Sequence, residues 1–411
     1  MVFLGQASNY SAGRVLRHLL AMGTSRHSLR LRQALAQTYH AQLENVALYQ
    51  SGRSALAVAF RHLLPTGGTV ILPGLTCIAL VRAVKAAGCE AEFVDITRED
   101  LQYNYQKLAA TCQKISEQAT TSQKTIDKNN KVCYNGIIVA QNTLGLPLDM
   151  RKLQKIANQY HFAIVEDLAH SAGRFYPDGR AIGSVGQATA LSFGKGKAID
   201  TIEGGAVILR LDDVDTDADA DAVEASNAKE TKTSASVGTE SASILIQPTR
   251  KPRAPRRWRD RWYPVFGSIA RGLAHFNLDR YWLGLLLKLH WIERSADAVL
   301  DVNTRLTHWQ AKLALDQLSR LPRTPLREFR LVERRADALQ ELRRAGYRLE
   351  EIWYDTPVSP ARYATEAAFP ARACPETVQI AAQIVNLPTW YPEQKLARAR
   401  AILQKYEVQH G

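Results

Sequence analysis

The sequence predicts an α/β fold. A mostly parallel central sheet carries helices on both faces, and a smaller α+β domain follows at the C-terminal end. Three observations predict it. Strand-length apolar runs alternate with helix-length runs between Thr69 and Val165, the pattern of β–α–β units with parallel strands. The run Phe162–Val165 ends in Glu166-Asp167, so an acidic group sits at the carboxyl end of a strand, where such sheets bind ligands. Leu191–Arg210, LSFGKGKAIDTIEGGAVILR, reads as a strand end, a loop with two lysines and glycines, and a return strand.

The elements follow in order. Residues 13–40 alternate apolar and basic positions at helical spacing, as in Val15, Leu16, Leu19 and Leu20, and predict a helical arm. Ser51-Gly52-Arg53-Ser54 reads as a turn with an N-cap before the apolar helix Ala55–Leu64. A helix N-terminus after such a turn can receive an anion. Thr69–Leu72 reads as a strand, Ile78–Ala87 as a helix and Ala91–Val94 as a strand ending at Asp95. Residues 112–131 are polar and predict a surface loop. Gly136–Ala140 predicts a buried strand, Met150–Tyr160 a helix and Phe162–Val165 a strand. A helix is expected from Val302 through Leu318, another from about Leu326 to Arg344, and a last one at 393–405.

A chain of 411 residues exceeds one ordinary core. The expected division is a large domain with its helical arm at 1–210, an insert at 211–300 and a small domain at 301–411. The five cysteines, Cys77, Cys89, Cys112, Cys133 and Cys374, are scattered and form no CxxC pair. They point to neither a disulfide framework nor a zinc site, and no metal ligand is assigned. The N-terminus lacks the long apolar core of a signal peptide, and no uncharged run reaches the ~18 residues a spanning helix needs. The expected setting is reducing and cytoplasmic.

The lysine loop carries the chemistry. A lysine in a tight, glycine-bounded loop beside a buried strand can be desolvated, which frees its amine for Schiff-base chemistry. Ser192, Phe193, Lys197, Glu203, Gly204 and Gly205 fall in the pattern S-F-x-x-x-K-x-x-x-x-x-E-G-G, and Lys195 lies two residues before Lys197 as its rival. Set beside SGRSAL, PGLTC, QNTLGLPLDM, VEDLAHSAG, NTRLTHWQA and IVNLP, the loop resembles that of the DegT/DnrJ/EryC1/StrS-type sugar aminotransferases. These are fold-type I enzymes that use pyridoxal 5′-phosphate (PLP). The resemblance covers about residues 45–210 and 302–390.

The resemblance implies roles at matching positions. Lys197 matches the lysine that holds the cofactor, and Asp167 the aspartate that pairs with its pyridine nitrogen and keeps the ring protonated. His170 matches a Gln/His position that contacts the phenolic oxygen. Ser192 matches a serine on the phosphate, and Arg53 and Ser54 match the turn that cradles it. Cys77 stands where an aromatic ring usually stacks on the cofactor. Asn303, with Arg305 close by, matches an asparagine that reaches the phosphate of a neighbouring subunit, so the resemblance implies a homodimer with shared sites. The chain also carries Ile202 where a glycine is usual, Arg53 in place of a small hydroxyl residue, and a longer insert.

The leading functional expectation is an aminotransferase that moves an amino group, with glutamate as donor, to a keto-sugar attached to a nucleotide. Such sugars feed cell-surface polysaccharide or secondary-metabolite synthesis. Two alternatives stand beside it. A PLP-dependent sugar dehydratase would commonly replace Lys197 with histidine, and a scaffold on a degenerate enzyme fold would not need the intact Lys197–Asp167 pair.

The insert begins with an acidic stretch of low complexity, 211–243, whose alternating aspartates lack the glycine of a calcium loop and predict disorder. Residues 250–261 hold seven basic residues and one acid. No nucleic-acid-binding motif accompanies them, so no nucleic-acid partner is expected. Net charge is +13, concentrated in part here, and Trp258, Trp262, Trp282 and Trp291 flank leucine-rich pieces. Residues 250–292 are therefore expected either to dock at the inner face of a membrane or to pack on the protein's own surface.

Overall fold

The structure, a computed structural model, describes residues 2–4, 12–119, 133–210, 247–251, 262–266, 268–269, 273, 285, 300–349 and 352–408. The chain opens with β1 (Val2–Leu4), α1 (Ala12–Leu20), α2 (Ser25–Thr38), β2 (Val46–Tyr49), α3 (Gly52–Leu63), β3 (Thr69–Pro73) and β4 (Thr76–Cys77). It continues through α4 (Ile78–Ala86), β5 (Glu90–Val94), α5 (Tyr105–Ala119), β6 (Gly136–Gln141), α6 (Met150–Tyr160), β7 (Phe162–Asp167), β8 (Ala188–Ser192) and β9 (Gly205–Leu209). The C-terminal part holds α7 (His308–Leu318), β10 (Arg327–Leu331), α8 (Arg335–Arg344), β11 (Tyr347–Leu349), β12 (Val358–Ser359), α9 (Pro375–Gln383), β13 (Ile384–Pro388) and α10 (Glu393–Gln404).

Seven strands form the central sheet in the order β2-β9-β8-β7-β6-β3-β5. The five from β8 to β5 run parallel, and β9 runs antiparallel to both its neighbours. Alternation along each strand feeds two cores, because successive side chains point to opposite faces. Ile137 and Val139 of β6 join one core with α3 and α4, while Ile138 and Ala140 join the other with α2, α5 and α6. A sheet buried on both faces needs continuous apolar strands, and GIIVA and FAIV supply them. In the C-terminal part, β10 and β13 pair antiparallel, and Val385 and Leu387 of β13 pack under α8 and α10. Two short parallel pairs, β1 with β11 and β12 with β4, tie that part to the N-terminal segments.

Four expectations are corrected. The arm is two helices, broken at Ala21–Thr24 where Gly23 backs onto the His308 carbonyl with no space for a Cβ. Residues 112–119 are not loop but the second half of α5, since Cys112 is buried against the core. The helix expected from Val302 starts at His308, because Thr307 and Gln310 form a capping box there. The span 326–344 is a strand followed by a helix, because pairing with β13 takes Arg327–Leu331 into a sheet. Of the insert, residues 262–266 are helical and Phe266 is buried against the protein. The acidic stretch, most of the basic run and most of the leucine-rich segment lie outside the described residues.

Candidate active site

Four features meet beyond the carboxyl ends of the parallel strands. These are the loop after β8, the end of β7, the start of α3 and a loop from the C-terminal part.

The loop after β8 is held on both sides of Lys197. The Lys197 N–H donates to the Gly194 carbonyl at 3.2 Å, closing a turn. Asp200 is fully buried, and its carboxylate accepts the Gly196 and Ile202 amides at 3.0 Å each. From α7, Gln317 accepts the Asp200 N–H at 2.9 Å and donates to its carbonyl at 3.1 Å. Gln310, one heptad earlier, donates to the Thr201 and Glu203 carbonyls. Ile202 has φ +75°, a left-handed conformation that is strained for a β-branched residue. This explains why a glycine is usual at that position. The two lysines diverge. The Lys195 ammonium lies 3.9 Å from the centroid of Tyr263 in the insert, whereas Lys197 reaches inward to 4.6 Å from the Trp353 ring.

Asp167 ends β7 and is buried, with one carboxylate oxygen accepting the Ala169 amide at 2.9 Å. Burial raises its pKa, an effect that the Ala169 amide and the charge of Lys197 only partly offset. His170 is buried three residues on, and burial, then Lys197 and Arg327, hold its pKa well below the ordinary histidine value. Its ring is thus a neutral imidazole, stacked on Trp353 at 4.8 Å with 20° between the planes. Cys77 caps α4 by accepting the Ala79 amide at 3.5 Å, and burial raises its thiol pKa. It is a neutral thiol beside Lys197 and Asp167, not a nucleophile and not a ring.

The α3 N-terminus lies directly against the end of β8. Ser51 is the N-cap and accepts the Ser54 amide at 3.1 Å. A Cβ on Gly52 would stand 2.9 Å from the Ser192 Cβ, so only glycine lets the first turn of α3 approach Ser192 this closely. The first-turn amides and the buried Arg53 make this a positively polarised helix end. The Ser54 hydroxyl is committed elsewhere, donating to the Asp301 carbonyl at 2.8 Å. Asn303 is exposed on the turn that follows; its amide donates to the Asp301 carboxylate and its carbonyl accepts from Arg250. Its side chain is not among the groups gathered around Lys197.

Four residues around the Lys197 cluster were not singled out from the sequence. Trp353 and Tyr354 come from the loop between β11 and β12, where IWYD reads only as a short apolar run. Arg327 opens β10 and Asn386 sits in β13. Tyr354 has φ +67° and places its hydroxyl 3.4 Å from His170 Nδ1. No sequence periodicity marks a strained turn that aims two aromatic rings inward.

Comparisons with known proteins bear on the family and the fold. The family model described as the DegT/DnrJ/EryC1/StrS aminotransferase family matches residues 15–241. A GDP-perosamine synthase from Escherichia coli O157:H7 is 31% identical over 159 residues, 38% of this chain and 38% of that protein. A UDP-4-amino-4,6-dideoxy-N-acetyl-beta-L-altrosamine transaminase from Campylobacter jejuni is 28% identical over 166 residues, 40% of this chain and 39% of that protein. These matches thus span well under half of each curated relative. Among solved structures, a sugar aminotransferase from Streptococcus pneumoniae in its PLP form has a TM-score of 0.59 at 16% identity, covering 96% of both chains. A DegT DnrJ EryC1 StrS aminotransferase from Brucella abortus has a TM-score of 0.58 at 17% identity, covering 97% of both chains. At these identities the likeness shows the fold.

Proposed function

The chain belongs to the DegT/DnrJ/EryC1/StrS aminotransferase family, and on that premise we propose that it is a PLP-dependent aminotransferase acting on a keto-sugar linked to a nucleotide. The observation that carries this reading is the convergence of Lys197 and His170 on the Trp353 ring, with buried Asp167 at the end of β7 three residues before His170.

The residues fit the cofactor on two observations. Asp167 is a buried carboxyl whose charged form is disfavoured by burial, so a protonated ring nitrogen would supply the missing countercharge. The tight contact of Gly52 with Ser192 leaves a cradle of first-turn amides and a serine hydroxyl, which suits a phosphate with Arg53 alongside. Ser54 supports the cradle from behind through Asp301. When bound, PLP supplies a ring that accepts electrons from the substrate carbon.

The chain's own groups have these roles. Asp167 would hold a proton at the ring nitrogen. His170, neutral, would hydrogen-bond the phenolic oxygen. Lys197 would tether the cofactor and, as general acid–base, carry a proton to and from the substrate Cα. Cys77 fills space at the ring-stacking position without stacking. The donor is an amino acid, with glutamate the leading candidate. The curated relatives are named for GDP- and UDP-linked amino sugars, which supports a nucleotide-sugar acceptor. Asn303, with Arg305 close by, would reach the phosphate held by a partner subunit in a homodimer. The domains divide at 1–210, 211–300 and 301–411 in a cytoplasmic setting, and 250–292 either docks at a membrane surface or packs on the protein itself, as buried Phe266 does. Among the described residues no helix is long and apolar enough to cross a membrane.

The test is absorbance of the purified protein with PLP, borohydride reduction and peptide mapping. A near-visible band abolished by borohydride, with the pyridoxyl label on Lys197, is expected, together with glutamate-dependent amination of a nucleotide-linked keto-sugar. Label on Lys195, or no band, refutes the assignment.

A further inference from the structure

Trp353 is the point where the C-terminal part enters the site. Its indole centroid lies 4.6 Å from the Lys197 ammonium, 4.1 Å from the Arg327 guanidinium and 4.8 Å from the His170 ring. Three groups from three separate segments thus pack on one ring. The Trp353 backbone that carries the ring is fixed from behind. Asn386, fully buried in β13, donates to the Trp353 carbonyl at 2.7 Å and accepts the Trp353 amide at 3.4 Å. The same Asn386 oxygen accepts from Arg327 Nη1 at 3.0 Å. Arg327 is only 1% exposed, and an arginine buried this deeply in a site is uncommon enough to ask what holds it there. The face of an indole is negative and attracts cations, more strongly in a dry site. Trp390 adds a second ring 5.9 Å from the guanidinium. Next to Trp353, the left-handed Tyr354 turns its hydroxyl toward His170. Backbone strain of this kind persists where the surroundings over-determine it.

We propose that Trp353, fixed by Asn386 and backed by Arg327, is a positioning residue that forms the aromatic wall of the site and sets the orientation and charge state of His170. This rests on the reading of the Lys197 cluster as a cofactor site. The wall supplies, from the C-terminal part, an aromatic surface that Cys77 cannot supply. It presents a flat face to the Lys197 amine and keeps the imidazole in one plane.

The charge consequence follows from the neighbours of His170. Facing it are Lys197 from the loop after β8, Arg327 from β10 and the Tyr354 hydroxyl from the loop after β11, with Asp167 three residues before it. Two of the four are cations, and both oppose a charge on the imidazole. Trp353 adds to this by sealing one ring face from water. A His170 that stays neutral keeps one nitrogen as donor and one as acceptor, the state needed to hold a phenolic oxygen in a fixed sense.

The experiment reads His170 directly, by NMR titration of histidine-labelled, cofactor-free protein with the resonance assigned by His170→Gln. Arg327→Gln removes the charge and keeps a hydrogen-bond donor for Asn386. Trp353→Leu removes the ring, and Trp353→Phe restores one. The His170 midpoint should rise by about one pH unit in Arg327→Gln and in Trp353→Leu, and return toward the parent value in Trp353→Phe. The same order should appear in the pH profile of the near-visible band after PLP is added. If Trp353→Leu does not fold, the Arg327→Gln midpoint decides. A midpoint unmoved in the folded variants overturns the proposal, since a merely structural role would lower thermal stability and leave His170 alone. A parent protein that takes up no PLP would count against the proposed function, while the His170 titration would still decide this inference.

Discussion

Substituting Gly52 by alanine is the sharpest perturbation the site offers. Gly52 lies in the first turn of α3 with an ordinary backbone conformation, so the substitution acts through space alone. A Cβ there would stand 2.9 Å from the Ser192 Cβ, 3.1 Å from its Cα and 3.1 Å from its Oγ. Two of these neighbours are fixed by the end of β8 and cannot rotate away. On the other side Gly205 already packs against Gly52, and a Cβ on Gly205 would meet the Gly52 Cα and N at 2.6 Å. The first turn of α3 is therefore held between β8 and β9 and must move by a few tenths of an ångström. Overpacking of this kind costs about 1–3 kcal/mol. Helix propensity returns up to about 1 kcal/mol, because alanine is the better helix residue. The net expectation is a loss of about 1–2 kcal/mol in stability, read by chemical denaturation. The displaced turn is also the cradle for the phosphate, so, if the same loss falls on binding, PLP affinity should drop by about 5- to 30-fold, since each 1.4 kcal/mol is a factor of ten. Affinity is read by titrating cofactor-free protein and following the near-visible band. Full affinity with a normal midpoint of denaturation would refute the close packing of α3 against Ser192 and its role in holding phosphate.

Asp167→Asn should lose most transamination while making the cofactor-free protein more stable. Burial raises the folded-state pKa of Asp167 above its unfolded value. Its unfavourable contribution is therefore absent below the unfolded pKa and complete above the folded one. A gain of about 1 kcal/mol at neutral pH should shrink as the pH falls, as followed by thermal denaturation; a variant with near-normal turnover would reduce the carboxylate to a turn cap for Ala169. Mixing inactive Lys197→Ala subunits with inactive Asn303→Ala subunits should restore part of the activity, and an active monomer by light scattering would contradict shared sites. Deleting 250–292 should abolish co-sedimentation with anionic vesicles at low salt, with each basic residue near the surface contributing about 1 kcal/mol; equal pelleting of both chains would leave that segment no membrane role.

Much of the fold was legible because its determinants are local. GIIVA, FAIV and MRKLQKIANQY carry their period and their boundaries in the residues themselves, and β6, β7 and α6 lie where the pattern puts them. The lysine loop was legible for a similar reason, since its spacing of serine, lysine and glycines compresses a strand, a turn and a return strand into twenty residues. The sequence alone determined that Asp167 ends a buried strand and that Lys197 follows one. It did not determine that they meet, because Asp167 and Lys197 are brought together only by the parallel pairing of β7 with β8. Its spacing favoured Lys197 over Lys195; where each ammonium lies, one at the Tyr263 ring and the other at the Trp353 ring, is a matter of tertiary packing. Where long-range pairing competes with local propensity, the local reading failed: Arg327–Leu331 has helix-compatible residues, yet the antiparallel ladder with Ile384–Pro388 makes it a strand. That ladder sets Arg327 beside Asn386, which in turn anchors Trp353. Sequence pattern reports which face of an element is apolar. Which distant side chains share one ring is decided by how the elements pack, and for Trp353, Arg327, His170 and Lys197 only the folded chain could decide it.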